Sequence, residues 1–137
     1  MNSETTNEMR VHIEEAVTEK GCLPIIWDVA PTSVKEGDYC TAMIRDGNSE
    51  TIGTCGNFYQ LQEEGTVDIV ANTKRGEGDA QLRKAVSEIR FFLQNSNTQN
   101  VEYNDVIRDV PLEAEQSDYA IFLQIGFRAY TSEPIDK

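Results

Sequence analysis

Residues 64–93, EGTVDIVANTKRGEGDAQLRKAVSEIRFFL, contain the two clearest periods in the chain. Thr66, Val67, Asp68, Ile69, Val70 and Ala71 alternate as a strand. A polar link from Asn72 to Gly78 follows, and then Leu82, Ala85, Val86, Ile89, Phe92 and Leu93 recur at the spacing of one helix face. Arg83, Lys84, Ser87, Glu88 and Gln94 occupy most of the remaining helix surface, so the apolar stripe must face a core. The simplest core is the sheet containing residues 66–71. Glu77 and Asp79 suit a helix N-terminus, with Asp79 as its cap.

Outward from this unit, Thr5-Thr6-Asn7-Glu8 has the form of a capping box before Met9, Ile13, Ala16 and Val17 at helical spacing, with Gly21 as the stop. His12 lies beside that stripe and reads as a packing or surface residue. Leu23 to Val29 reads as a short strand carrying Trp27, a core or interface anchor. Pro31 to Asp38 is a loop. Tyr39 to Arg45 is the next strand, stopped by the turn signal Asp46-Gly47-Asn48. Ser49 to Asn57 is polar and glycine-containing, a mobile loop or the open end of a long hairpin. Phe58 to Gln62 then begins a strand that runs, with a break at Gly65, into residues 66–71 as the antiparallel neighbour of Tyr39 to Arg45. Beyond the second helix, Val101 to Val110 is a strand of mixed quality and Pro111 to Gln116 a turn. Asp118 to Tyr130 is the longest strand, with Tyr119, Ile121, Leu123, Ile125 and Phe127 on one face. The tail Thr131 to Lys137 is polar, and removing its last five residues is expected to leave folding intact. The expected fold is α+β, a mostly antiparallel sheet with two helices packed on it in the order α-β-β-β-α-β-β, in a single domain spanning residues 1–137.

Composition narrows the function. With 12 basic and 24 acidic residues the formal charge is −12, which disfavours binding to phosphate polyanions. No apolar run is long enough to span a membrane and no signal peptide is visible, so synthesis and folding in a cytosol are expected. Cys22, Cys40 and Cys55 are widely spaced and read as reduced thiols rather than a metal site. The carboxylates at Glu14-Glu15, Glu63-Glu64, Asp105, Asp109, Glu113 and Glu115 read as solvated faces. No nucleophile elbow or P-loop occurs, and neither an enzyme nor a cofactor is expected.

Two resemblances follow from these residues. Lys74 to Gly78, between a strand and a helix, together with Gln124-Ile125-Gly126-Phe127, resembles the acetyl-CoA-binding parts of Gcn5-related N-acetyltransferases, which implies an acyltransferase as the alternative function. The family's pyrophosphate loop begins with Arg or Gln where this chain has Thr73, and Glu77 and Asp79 would face the phosphates. The whole chain more closely resembles the tail-terminator, or tail-completion, proteins of long-tailed bacteriophages. The matching features are the first helix, the Leu23-Pro24-Ile25-Ile26-Trp27 strand, Gly56-Asn57-Phe58, the alternating strand after Gly65, Gly76-Glu77-Gly78-Asp79 opening the amphipathic helix, and a long final strand. That resemblance implies a structural virion protein that forms a homohexameric ring on the end of the tail tube. Such a ring stops tube polymerisation and joins the head-tail connector, while genomic DNA passes its lumen without specific binding. Its implied location is the host cytoplasm during assembly and then the virion tail. Expected ring or tube contacts are Tyr39, Met43 and Arg45 on one strand and Phe58, Tyr59 and Leu61 in the polar hairpin, with Phe58 and Tyr59 as aromatic anchors.

Overall fold

Val67, Ile69 and Ala71 point to one side of their strand and are buried, as are Leu82, Val86, Ile89 and Leu93 on the helix that follows. These two rows form the centre of the core. Each large side chain so removed from water contributes about 2 kcal/mol. The computed structural model describes residues 3–27, 39–74, 79–98, 100–112 and 118–134. Its elements are α1 (Ser3–Glu14) with a π-helical continuation (Glu15–Lys20), β1 (Ile25–Trp27), β2 (Tyr39–Cys55), β3 (Phe58–Lys74), α2 (Asp79–Asn95), β4 (Val101–Leu112) and β5 (Asp118–Pro134).

The fold is α+β in the expected chain order. Both helices cover one face of a five-stranded sheet ordered β1-β2-β3-β5-β4. β1 runs parallel to β2 and all other pairs are antiparallel. Ile121, Leu123, Ile125 and Phe127 of β5 join β3 in the core, and Met9, Ile13, Ala16 and Val17 bring α1 onto it.

Several local readings change. Asp46-Gly47-Asn48 does not stop β2, because the strand continues through a bulge between Asp46 and Ser49, and a second bulge lies between Thr51 and Gly53. Pairing with β3 carries the strand past a sequence that would turn a shorter one. β3 is unbroken at Gly65, which pairs with Asp46 on one side and Phe127 on the other. An added Cβ there would lie 2.2 Å from the Arg45 carbonyl oxygen and 2.8 Å from the Phe127 ring, so glycine is required by close approach. Pro111 belongs to β4, an edge strand, where proline is tolerated. The uneven alternation of Val101 to Val110 reflects bulges between Tyr103 and Val106 and between Val106 and Arg108. Thr131 to Pro134 is strand, paired with Phe58 to Leu61, so the tail is not loose up to that point. The turn expected after Leu112 falls outside the described residues.

At the first helix, Thr5 lies inside α1, two residues after its start, so the Thr5–Glu8 box caps nothing. Gly21 follows the last helical residue, but its φ is −87° and the left-handed residue is Cys22, φ 57°. The N–H of Leu23 reaches back to the Val17 carbonyl at 3.0 Å and closes the helix end. Gly21 is small for another reason: a Cβ there would meet Ile89 of α2 at 2.8 Å.

Candidate functional site

β2, β3 and β5 are each 17 residues long, about 55 Å of extended chain. α2, also 17 residues, spans only about 25 Å. The helices therefore cover one end of the sheet, and the other end runs on without them. There β2 from Ser49 to Cys55 turns through Gly56 (φ 59°) into β3 from Phe58 to Gln62, flanked by the last residues of β5. This is a three-stranded arm. Its β2 strand is exposed along its whole length, and Ile52 (53% exposed), Phe58 (46%) and Tyr59 (40%) present apolar surface to solvent.

The base of the arm is tied to the helical layer through Glu8. Its carboxylate accepts hydrogen bonds from the Thr98 hydroxyl, the Asn100 backbone N–H at 3.0 Å and the Asn100 amide at 3.0 Å. The Asn100 carbonyl in turn accepts the Tyr130 N–H at 2.8 Å, immediately before β5 enters the arm. Burial alone would raise the Glu8 pKa, but the hydrogen bonds from Thr98 and Asn100 outweigh it and hold the group below its ordinary value. On the exposed face of the sheet, Arg128 bridges Glu64 at 3.1 Å and Tyr130 donates to Glu102 at 3.1 Å.

The six expected contact residues divide into two groups. Tyr39, Met43 and Arg45 lie on the helix-free face of β2, where Arg45 Nε is 2.6 Å from Asp68 Oδ2. Tyr39 and Met43 are half-buried. Phe58, Tyr59 and Leu61 lie on the arm, with Leu61 half-buried. Met43 pairs with Asp68, seven residues along β3 from Leu61, so the two groups are about 23 Å apart. They do not form one patch. Phe58 and Tyr59, being adjacent in a strand, point to opposite faces of the arm.

Two features were not read from the sequence. Ile52, at the second bulge, is the arm's most exposed large apolar side chain. Phe91, 66% exposed, stands on α2 opposite the buried stripe and rims a groove of about 660 Å³ lined with Ser87, Glu88, Arg90, Gln94 and Val106. Its place off the helical period was the available signal. Glu63 is buried rather than solvated, and Asp109 is bound by Arg90 at 2.7 Å. Glu113 and Glu115 lie outside the described residues.

His12 is buried between the rings of Phe92 and Tyr103, with Nε2 3.0 Å from Ser96 Oγ. This Ser–His pair is arranged against nucleophilic catalysis. Ser96 donates its proton to the Phe92 carbonyl, so the imidazole Nε2–H is the donor toward Ser96, and Nδ1 has no partner among the described residues to orient it. Burial lowers the His12 pKa, against the opposing pull of Glu15 and Glu8. No cluster of three potential metal ligands occurs among the described residues. Gly126 and Phe127 lie within β5, paired with Thr66 and Gly65, while residues 75–78 of the other acetyl-CoA-like segment are outside the described residues.

The chain matches no family model and no curated protein sequence. A solved structure of a protein whose name states no activity is similar over 90% of this chain and 94% of its own, with a TM-score of 0.62. At 13% identity, that likeness concerns the fold. No helix among the described residues is long and apolar enough to cross a membrane.

Proposed function

We propose that this protein is a tail-terminator-like assembly protein of a long-tailed bacteriophage. It forms a homohexameric ring on the tail tube, stops the tube's growth and presents its other face to the head-tail connector. It assembles in the host cytoplasm and remains in the virion tail. The observation that carries the reading is the arm, a strand-paired extension with exposed Ile52, Phe58 and Tyr59 and no helical cover among the described residues. A surface of this kind serves contacts with other chains better than it serves catalysis on a small molecule. The acidic composition suits a lumen through which DNA slides. It also opposes assembly, since six copies at −12 each carry −72, so magnesium or salt should favour the ring.

Light scattering across a magnesium and salt series, with negative-stain images and a capping assay on purified tail tubes, tests this function. Phe58→Ala and Tyr59→Ala should reduce ring formation or tube capping while leaving the melting temperature within about 2 °C, as befits exposed positions. Lost stability with unchanged capping would remove the arm from the interface. A thermal shift produced by acetyl-CoA would count against the whole reading.

A further inference from the structure

Half-buried Glu8 and buried His12 stand one turn apart on α1, neighbours on one helix face. Besides the Thr98 hydroxyl and the Asn100 amide, Glu8 takes the Asn100 backbone N–H, so its carboxylate fixes main chain in the link between α2 and β4. What it fixes leads into the arm. The last pair between β4 and β5 is Val101 with Ala129, and the Asn100 carbonyl holds the Tyr130 N–H one step beyond. From Thr131 to Pro134, β5 is paired with β3 alone among the described residues. A carboxylate of α1 thus helps to hold the strand pairing at the arm's root.

Three elements surround the His12 ring. α2 contributes Phe92 and Ser96, neither of which titrates, and the Ser96 hydroxyl is already engaged with Nε2–H and the Phe92 carbonyl. β4 contributes Tyr103, whose phenol keeps its proton because burial, with Glu8 nearby, pushes its pKa up. The π-helical continuation brings Lys20, 5.4 Å from the Phe92 ring centre, and Glu15. Glu15 and Glu8 are the anions that favour a proton on His12. Once the ring takes a proton from solvent on Nδ1, it carries a second N–H that has no acceptor among the described residues. An unpaired neutral donor in a buried place costs about 1–3 kcal/mol, and a charged one costs more. Side chains on an α-helix lean toward its N-terminus, which carries the His12 side chain over the turn of Glu8 and away from exposed Glu15.

We propose that Glu8 and His12 form a proton-operated latch on the arm: a charged His12 draws the Glu8 carboxylate to its Nδ1–H, Glu8 releases Asn100, and the arm's root loosens while the core stays folded. The order of titration suits this device. Burial lowers the His12 pKa from 6.5, so the ring charges only in acidic solution, while the hydrogen bonds to Glu8 keep that group ionised to below 4.5. Between the two titrations both charges are present. The latch is internal to one chain and does not depend on what the arm touches.

Amide hydrogen exchange of the full chain, followed by NMR from about pH 7.5 down to about pH 4.5 and corrected for the intrinsic rate at each pH, tests the latch. The His12 ring-proton shift reports its charge in the same samples. Protection of the Asn100 and Tyr130 amides should fall about tenfold as His12 titrates, while Ile69 and Leu123 in the core keep theirs. His12→Gln, neutral at every pH, should keep Asn100 and Tyr130 protected throughout. Glu8→Gln should leave both amides less protected from the start, with no further loss as His12 titrates, and it serves as the comparison if His12→Gln does not fold. Protection that persists through the titration would overturn the latch, the charge then being met by Glu15 or by water. A loss shared equally by Ile69 and Leu123 would overturn it as global unfolding, and so would the same loss in His12→Gln. A ring that stays neutral down to pH 4.5, where Glu8 itself begins to lose its charge, would overturn it too.

Discussion

Gly65→Ala should destabilise the protein severely for one methyl group. The added Cβ would stand 2.2 Å from the Arg45 carbonyl oxygen and 2.8 and 2.9 Å from two carbons of the Phe127 ring, whereas ordinary contact begins at 3.4 Å. The carbonyl belongs to β2 and the ring is 1% exposed within the core, so neither can swing away. Relief requires β2 and β3 to separate by about 1 Å just before the first bulge. Overpacking of this kind costs about 3 kcal/mol, or about 10 °C in melting temperature for a chain of this size. Urea denaturation followed by Trp27 fluorescence would measure it. Phe127→Ala alone should cost about 4 kcal/mol through the cavity it leaves. In that background Gly65→Ala should become cheaper but not neutral, because the carbonyl clash survives loss of the ring. A cost below about 0.5 kcal/mol for Gly65→Ala in the native background would refute the close-approach account.

Three further outcomes follow from the buried groups. Burial keeps His12 neutral in the fold, so the unfolded chain takes up its proton first; stability should fall as pH drops below about 6.5, and His12→Gln should flatten that part of a melting curve against pH. The depressed Glu8 pKa acts in the same direction in a lower window, below its ordinary 4.5, and Glu8→Gln should remove that part instead. Tyr103→Phe should be neutral or stabilising by up to about 1 kcal/mol in thermal unfolding, because the Tyr103 hydroxyl is buried without a hydrogen-bond partner among the described residues. Iodoacetamide should modify Cys22 and Cys55 in the native protein but Cys40 only on unfolding, since burial covers that thiol and pushes its pKa up to about 12; rapid native labelling of Cys40 would refute its placement beneath the helices.

β3 and α2 were legible because their periods are local and long: every residue of the expected α2 stripe is buried or half-buried. Readings failed where a distant partner decides the outcome. Asp46-Gly47-Asn48 has turn chemistry, yet seventeen residues of β3 hold β2 straight through it. Glu8 has the spacing of a capping residue, yet its carboxylate binds Thr98 and Asn100, 90 and 92 residues away. Gly21 has the place of a helix stop, but its small size accommodates Ile89. At the candidate site, the aromatic residues of the hairpin could be named, but the arm's projection depends on strand length exceeding helix length, which no single window of sequence displays.

The charge pattern gives salt two opposed roles in self-association. A net −12 repels every other copy at a distance, and this repulsion weakens once the Debye length falls to about 10 Å near 0.1 M salt. Ion pairs between copies act at much shorter range, so the same salt leaves them largely intact. Near 1 M the screening length is about 3 Å and those pairs are lost as well, leaving only apolar packing between copies. Association should therefore rise with the first additions of salt and then level or fall. A steady rise through molar salt would mean that apolar packing dominates the contact, with ion pairs contributing little to the choice of partner.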